Sequence, residues 1–545
     1  MSKNNFEGGS APPPYTMPDV QINNKDMLNP ERYEPDIKSY KENNVFQAYD
    51  TEDKRLAHLE KLNTIERIKF DHKLYLIGFG GEGRPFLYLF FKRVDIDPKN
   101  IIIIDLRDVS KEAEYWSSLG ATVISNTKIT QDNYRTLLAG IERDDIIVDA
   151  AIEIDSIDLL KFCEEKGCDF VNSCIENWDF KDQTDAEKYS LMYKHKELEA
   201  VNAKYAGKQN TNFVISMGCN PGNVSIWVKI GLLKIAKEYN IDSKKYKSWA
   251  ELSRALGVKT IHVSEKDTQI VNNPKRVNEY MNTWGGMGEA YFEEAMGCVE
   301  ASWGTHEKLK FKEEEIVPEP DNYLIWKKKG GYVKAQSWVP QYGRFFGNII
   351  RHDESYTIGR TLTVKDNSGK TVYKPSVYYV YNPTQEANAS LEELKERNHK
   401  LQDHYRFMTD EIIDGRDILG LTYYLENGDV FWVGSMLTIH EARKIFPPEY
   451  HKFINATNTT VSAGILSAVL EIIRLDKKGK KLGLISPDDL PWYKIIYDQI
   501  GYLGDFVFMK TDFSNIISDN RFGRPYKLSK NWQFDEFLVD EDFTK

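Results

Sequence analysis

The chain has few cysteines and no long apolar run. Five cysteines in 545 residues disfavour a disulfide framework and indicate a reducing, cytoplasmic location. Cys163 and Cys168 lie near each other without a second pair or a partnering histidine, so no metal site is predicted. No stretch reaches the roughly 18 apolar residues that cross a bilayer, and the N-terminal residues lack the apolar core of a signal peptide. The sequence therefore predicts neither a secreted nor a membrane protein.

The chain also lacks an excess of positive charge. Lys and Arg number 72 against 83 Asp and Glu, which gives a net charge of −11. A basic face for nucleic acid is therefore disfavoured, whereas a negative field favours cationic substrates by steering. The length suggests two domains with appendages. We expect a globular protein that acts on small molecules, without nucleic-acid or membrane partners.

Short apolar segments alternate with amphipathic ones between residues 73 and 172. The runs at 73–78 (KLYLIG), 101–105 (IIIID) and 145–150 (DIIVDA) are typical of buried strands, and helical patterns separate them. This alternation predicts an α/β fold with a Rossmann-type, doubly wound parallel sheet. Residues 1–45 are rich in Pro, Gly, Asn and charge, which predicts a disordered or loosely docked arm.

The central part of the chain changes character and predicts a second, α+β domain with a mixed sheet. Period-two alternation is typical of half-buried strands, and it predicts strands at 259–264, 331–339, 355–365, 377–381 and 430–437. The predicted organisation is an N-terminal extension (1–70), a Rossmann domain (71–225), an α+β substrate domain (226–454) and a C-terminal segment (455–545).

Residues 78–83 (GFGGEG) match the pattern G-x-G-x-x-G between a predicted strand and a predicted helix. Such glycines permit a tight turn, close approach of the backbone to a pyrophosphate, and close packing of helix on strand. Asp105 ends the next strand, where an acidic side chain accepts hydrogen bonds from a ribose and repels a 2′-phosphate. NAD is therefore favoured over NADP, although Arg107 lies nearby. The predicted cofactor-binding residues are Gly78, Gly80, Gly81, Glu82, Gly83 and Asp105.

Further short motifs follow along the rest of the chain. They include ENW (176–178), GCNPGNVS (218–225), IHVSEKDTQ (261–269), NTW (282–284), WGT (303–305), HDES (352–355), YNP (381–383), NAT (455–457) and WQF (532–534). With these motifs the chain resembles the bacterial-type homospermidine synthases, within the saccharopine-dehydrogenase-like NAD-binding superfamily, from about residue 73 to 540. The resemblance implies a substrate and dimerisation domain, a C-terminal segment that returns to the Rossmann domain, and a homodimer.

The implied reaction is an aminobutyl transfer that uses NAD as a redox prosthetic group. Two putrescines give homospermidine and ammonia, or spermidine serves as the donor and releases diaminopropane. The first amine is oxidised to an imine. A second putrescine then replaces ammonia, either directly or after hydrolysis to an aldehyde, and the retained NADH reduces the new imine.

The residue types at the motifs fit a diamine, which at neutral pH is a dication on a four-carbon stem. Such a ligand needs carboxylates for its ammonium ends and apolar or aromatic walls for its methylenes. By resemblance, Glu176, Glu265 and Glu294 would anchor the ammonium ends, with Glu293 as an alternative to Glu294. Trp284 would hold the cation over its indole face, a contact worth roughly 0.5–2 kcal/mol.

A base is also required, because hydride removal needs a neutral amine. The resemblance assigns this role to His352, a residue type that titrates near neutrality. Asn220 would position the reacting amine beside the nicotinamide. Glu153 stands where relatives have Asp, and Asn177 replaces a family Pro, which puts the local loop shape in question. The predicted catalytic residues are Asn220, Glu265, Trp284, Glu294, His352 and Glu176.

Two alternative functions remain open from the sequence. Imine reductases of the saccharopine and carboxyspermidine dehydrogenase type share the scaffold, but they need Arg or Lys to bind a substrate carboxylate. A non-catalytic NAD-binding protein is the second alternative, and the complete acidic, aromatic and histidine set argues against it.

Overall fold

The computed structural model describes residues 52–178, 189–285, 289–317, 319, 321–511 and 531–539. The arm predicted for residues 1–45 lies outside the described residues. The first described element is the helix Glu52–Thr64, and a short strand, Ile68–Lys69, follows it and pairs in parallel with Val94–Asp95.

Seven parallel strands form one sheet, which we call the nucleotide sheet, and they confirm the predicted doubly wound α/β fold. Their apolar side chains are almost entirely buried on both faces, as a parallel sheet covered by helices requires. Its strands in spatial order are Gly483–Ile485, Asn212–Val214, Asp169–Asn172, Ile146–Asp149, Leu74–Ile77, Ile101–Ile104 and Thr122–Ile124. The helices in this part of the chain are Gly83–Arg93, Glu114–Leu119, Tyr134–Leu137, Ser156–Lys166, Leu191–Ala203 and Asn223–Glu238.

Local sequence sets the bounds of these helices. Asp155 begins the helix Ser156–Lys166, since its carboxylate accepts hydrogen bonds from the backbone N–H groups of Ile157 and Asp158. Gly167 ends the helix with a φ of +78°, in the left-handed region that glycine adopts without strain. The start and the stop therefore both follow from residue type.

Ten strands form a second, mixed sheet, which confirms the predicted α+β part of the fold. Only Ser376–Asn382 and Val258–Asp267 pair in parallel; the remaining described ladders of this sheet are antiparallel. The main path in spatial order is Ile316–Val317, Tyr323–Lys329, Cys298–Ser302, Ser376–Asn382, Val258–Asp267, Arg416–Leu425, Val430–Thr438 and Asp505–Thr511, with Lys334–Val339 and Gly343–Ile350 attached beside Ser376–Asn382.

Small two-stranded sheets and further helices complete the described elements. The small sheets pair Ile270–Val271 with Ile412–Asp414, Glu279–Asn282 with His404–Phe407, and Val364–Lys365 with Thr371–Tyr373. The remaining α-helices are Trp249–Ala255, Glu289–Met296, Asp353–Thr361, Gln385–Glu396, Ile439–Ile445, Ala456–Asp476, Trp492–Gln499 and Phe534–Phe537.

The strand predicted over residues 355–365 is wrong, because the chain forms the helix Asp353–Thr361 there. The alternation of apolar and polar residues in this stretch fits either structure. Asp353 and Glu354 occupy the first turn, where negative charge stabilises a helix. The helix packs against Ser376–Asn382 and Cys298–Ser302, so tertiary burial selects helix over strand.

The C-terminal segment contributes to both sheets. Gly483–Ile485 is the edge strand of the nucleotide sheet, whereas Asp505–Thr511 pairs with Val430–Thr438 in the mixed sheet. The helix Ala456–Asp476 packs against strands of both sheets. It has the length and mean hydropathy of a membrane span, but its apolar 18-residue stretch is buried inside the protein. It is therefore a core helix. The domain boundaries drawn from the sequence remain predictions.

Candidate active site

One cavity of about 450 Å³ lies where the carboxyl ends of the nucleotide strands face the mixed sheet. Residues that directly follow four nucleotide strands line it, as expected for a ligand site in an open parallel sheet. All of the predicted site residues except Gly83 line this cavity: Gly78, Gly80, Gly81, Glu82, Asp105, Glu176, Asn220, Glu265, Trp284, Glu294 and His352.

The glycine turn, residues 78–83, has the geometry that its sequence requires. Gly78 has a φ of +87°, and a Cβ there would lie 2.5 Å from the carbonyl oxygen of Ala150. A Cβ on Gly83 would lie 2.0 Å from the carbonyl oxygen of Gly78. Gly83 therefore stands behind the cavity wall, where it lets the helix Gly83–Arg93 begin directly against the strand.

Asp105 is an ionised, buried acceptor beside the glycine turn. Its carboxylate accepts hydrogen bonds from the backbone N–H groups of Phe79 and Arg107, both at 2.8 Å, and from the Arg107 guanidinium at 3.0 and 2.9 Å. Burial raises the pKa of Asp105, but these hydrogen bonds outweigh burial and leave the pKa below its usual value. The carboxylate is therefore held in a fixed orientation at the end of its strand.

The helix Ala456–Asp476 supports the cavity from behind. Asn458 donates to the carbonyl of Gly81 at 2.8 Å, and Ser462 donates to that of Glu82 at 3.0 Å. At the start of the same helix, Asn455 donates to the carbonyl of Thr283 at 2.6 Å. One helix end thus holds both the glycine turn and the segment that carries Trp284.

His352 lies at the centre of a polar network. Its Nδ1 is 3.1 Å from the Asn220 side-chain oxygen and 3.3 Å from a carboxylate oxygen of Glu354. Its Nε2 is 3.6 Å from Glu294. Burial lowers the pKa of His352, but the carboxylates of Glu354 and Glu294 outweigh burial and raise the pKa well above its ordinary value. The two carboxylates therefore favour the protonated form of the imidazole.

Glu265 lies on the strand Val258–Asp267 and is 4% exposed. It accepts a hydrogen bond from the hydroxyl of Tyr379 at 2.8 Å and a longer one from Asn220 at 3.4 Å. Burial raises the pKa of Glu265 to about 7, and neighbouring Asp267 adds to this effect. A cation placed beside Glu265 would favour its ionised form.

Asp417 is a functional candidate that the sequence analysis missed. It stands opposite Asp267 in the antiparallel register, and it lines the cavity. Its Oδ1 atom has no hydrogen-bond partner within the described ranges. Burial and the nearby carboxyl of Glu265 raise its pKa well above the usual value. No local motif marks this position, because only the pairing of distant strands brings it to the site.

A second carboxyl pair lies on the nucleotide side of the cavity. Glu176 accepts hydrogen bonds from the thiol of Cys174 at 2.9 Å and from the backbone N–H of Glu153 at 3.3 Å. Glu82 accepts one from Ser173 at 3.1 Å. Burial raises the pKa of both glutamates to about 7. Glu82, predicted from the glycine motif, thus directs its carboxyl toward the acidic part of the cavity.

Aromatic side chains form one wall of the cavity. The indole of Trp284 packs edge to face on Tyr381, with ring centroids 5.4 Å apart. Tyr381 stacks on Tyr379 at 5.4 Å, and Tyr379 lies 4.5 Å from the imidazole of His352. The sequence analysis proposed neither tyrosine as a site residue, although Tyr381 begins the YNP motif and the i, i+2 spacing on a predicted strand places both on one face.

Glu153, Glu293 and Glu294, whose roles the sequence leaves open, also line the cavity. Glu293 and Glu294 both line it, and Glu294 is the one near His352. Glu153 adopts a φ of +62°, which is rare for a residue with a side chain. Its carboxylate pairs with Lys128.

The basic side chains that line the cavity are each paired within the protein. Arg107 is held by Asp105, Lys128 by Glu153, and Arg351 donates to the carbonyl of Tyr189 at 2.6 Å. These basic groups therefore do not form a binding site for a substrate carboxylate. The imine-reductase alternative would require such a site.

A carboxylate cluster outside the cavity has the spacing of a metal site. Asp144, Asp169 and Asp476 bring their oxygens together, but the ammonium of Lys481 lies 2.8 Å from each of them. The cluster is therefore a salt-bridge network around a lysine.

The parallel sheet, the glycine turn and the acid-rich cavity define a two-domain protein of the Rossmann dinucleotide-binding class. Residues 74–211 match the family model of the saccharopine dehydrogenase NADP binding domain. Homospermidine synthase of Blastochloris viridis is 30% identical over 499 residues, which cover 86% of this chain and 98% of that protein. The Mesorhizobium japonicum homospermidine synthase is 28% identical and is covered to 96%, against 85% of this chain. The chain belongs to the homospermidine synthase family, as the motifs predicted.

A solved structure agrees with this assignment. The crystal structure of the Legionella pneumophila homospermidine synthase in complex with NAD is similar with a TM-score of 0.77 and 30% sequence identity. The match covers 87% of this chain and 99% of that one. The resemblance inferred from the motifs is thus confirmed along most of the chain.

Proposed function

We propose that the chain is a homospermidine synthase that uses NAD to join two putrescines, or spermidine and putrescine. The observation that carries the proposal is a single cavity in which the glycine turn adjoins buried carboxyls and an aromatic wall. A dication with an aliphatic stem fits these surfaces, because carboxylates pair with its ends and aromatic faces pack on its methylenes. The redox-neutral chemistry makes the enzyme an aminobutyl transferase.

The residues around the glycine turn fit NAD. A side chain at Gly78 or Gly83 would clash with backbone, so these glycines permit the tight turn and the close helix packing that a pyrophosphate site of this class needs. Asp105 offers an ionised acceptor for a ribose hydroxyl. Bound NAD would accept a hydride from one amine and return it to the imine formed with the second.

The protein's own groups would hold the amines and move protons. Glu265 and Asp417 would bind an ammonium at the deep end, and the indole of Trp284 would face the stem. Glu294 would bind the other ammonium and so weaken its pairing with His352. Glu354 and Glu294 together raise the pKa of His352, so weaker pairing with Glu294 would lower that pKa. The imidazole would then release its proton to water and take one from the reacting amine.

Asn220 would orient the reacting nitrogen. Its side-chain oxygen faces His352 and its N–H₂ group faces Glu265, so it lies between the base and the ammonium-binding carboxylate. Glu176 and Glu82 would add negative potential on the nucleotide side, which stabilises the cationic iminium.

The test is an incubation of purified protein with putrescine and a trace of NAD, followed by identification of amines by mass. We expect homospermidine and ammonia, with no steady accumulation of NADH. A Trp284→Ala variant that remains folded should lose most of this activity. Net consumption of a nicotinamide cofactor with an amino acid substrate, and no product from putrescine, would instead support the imine-reductase alternative.

Two finer features belong to the same proposal. We expect a homodimer, which light scattering on a sizing column would test. We also expect a cytoplasmic enzyme, in keeping with five free cysteines in the described structure.

A further inference from the structure

The register of the mixed sheet brings Tyr379 to the reacting end of the cavity. Its strand, Ser376–Asn382, runs parallel to Val258–Asp267, and Tyr381 stands opposite Glu265. Side chains alternate along a strand, so Tyr379 and Tyr381 share the face that lines the cavity. Tyr378 lies on the other face, where its hydroxyl is 2.7 Å from the ring of His262.

Tyr379 contacts two groups of the proposed reaction at once. Its hydroxyl donates to Glu265 at 2.8 Å, and its ring lies 4.5 Å from that of His352 with an angle of 51° between them. The side chain is 4% exposed. Because the ring is fixed between Tyr381 and His352, the hydroxyl has one direction in which to donate.

We propose that Tyr379 is a positioning residue of the diamine reaction, whose hydroxyl holds the Glu265 carboxylate ready for the substrate ammonium. This inference rests on the proposed function. Glu265 itself would touch the substrate, and Tyr379 would act through it. Tyr379 at 2.8 Å and Asn220 at 3.4 Å donate to the same carboxylate oxygen, Oε2, which leaves Oε1 for the substrate ammonium.

The surroundings of Glu265 make this donor important. Asp267 and Asp417 face Glu265 and oppose its ionisation, the thiol of Cys219 lies nearby, and the cation of His352 favours its ionisation. Burial raises the pKa of Glu265 to about 7, and the hydrogen bond from Tyr379 counteracts burial. Removing the hydroxyl therefore raises the pKa further. Since the ionised carboxylate binds the ammonium, the acidic limb of the pH profile moves to higher pH.

The test compares Tyr379→Phe with the wild type in kcat/KM for putrescine between pH 5.5 and 9 at saturating NAD. We expect the acidic limb of the Tyr379→Phe profile to shift to higher pH by about one unit. At pH values below the limb, kcat/KM should fall roughly tenfold, and at high pH it should recover toward the wild-type value. Tyr378→Phe is the matched control, since it removes a buried hydroxyl from the opposite face of the same strand. Its pH profile should keep the wild-type limb.

Two further measurements make the outcome decisive. In a Glu265→Gln background, Tyr379→Phe should cause no additional shift, because the two residues act through one hydrogen bond. Calorimetric binding of putrescine over the same pH range should show the same displacement and requires no turnover. A Tyr379→Phe profile that overlays the wild type, in turnover or in binding, would overturn the role of Tyr379. Wild-type protein that binds putrescine but forms no homospermidine would instead reject the proposed function.

Discussion

Replacement of Asp105 by serine is expected to weaken the binding of NAD and to strengthen the binding of NADP. The carboxylate is predicted to accept a hydrogen bond from the adenosine ribose, and it also binds the guanidinium of Arg107 through two hydrogen bonds of 3.0 and 2.9 Å. The substitution removes the ribose acceptor and releases Arg107, whose side chain is 44% exposed. Arginine binds phosphate oxygens well, so the released side chain would favour a 2′-phosphate.

The size of the effect follows from these contacts. Loss of a hydrogen bond to a charged acceptor costs about 1.5–3 kcal/mol, which weakens NAD binding by roughly 10- to 150-fold. A new charge-assisted contact from Arg107 to NADP is of similar size. The ratio of the two dissociation constants should therefore change by about 3–6 kcal/mol, or on the order of 10²- to 10⁴-fold.

The assay is titration of both cofactors into the folded variant by calorimetry, with circular dichroism to check the fold. The control is Arg107→Gln in the Asp105→Ser background, which should abolish the gain for NADP and leave NAD weakened. Unchanged NAD affinity in Asp105→Ser would refute the reasoning, because the ribose would then lie elsewhere.

Three further predictions concern the diamine. Glu265→Gln should lower kcat/KM for putrescine by about 1–3 kcal/mol through loss of a charge-assisted bond, with NAD affinity unchanged; wild-type kinetics would remove Glu265 from the site. Trp284→Ala should cost roughly 0.5–2 kcal/mol of cation binding in addition to lost packing, and Trp284→Phe should retain part of it; equal kinetics for the two variants would exclude a role for the aromatic face. Putrescine binding should release protons, because burial raises the pKa values of Glu82, Glu176 and Glu265 to about 7 and the dication requires them ionised. Calorimetry in two buffers should find more protons released at pH 6.5 than at pH 8.5, and no difference between these pH values would contradict this account.

The sequence predicts most of the nucleotide sheet and the glycine turn, because the patterns that indicate them are local in the chain. Buried strands appear as apolar runs, and the turn at 78–83 and Asp105 are adjacent to their strands in the chain. The acidic and aromatic candidates came from motifs, and the structure brings them into one cavity. Their individual roles stay predictions.

The features that sequence did not predict depend on pairing between distant strands. Asp417 and Tyr379 reach Glu265 only through the register of the mixed sheet, which no local pattern specifies. Residues 355–365 were assigned to a strand because alternation over a short stretch does not separate strand from a buried helix. The raised pKa of His352 arises from Glu354, two positions away in the chain, and also from Glu294, 58 positions away.

Because Asn455 and Asn458 hold the carbonyls of Thr283 and Gly81, these supports of the cavity form only after the helix Ala456–Asp476 has emerged from the ribosome. A nascent or prematurely terminated chain would possess the glycine turn, the tryptophan and the glutamates, yet lack the helix that fastens them to one another. Such fragments would lack the hydrogen bonds that hold these parts of the cavity wall in place.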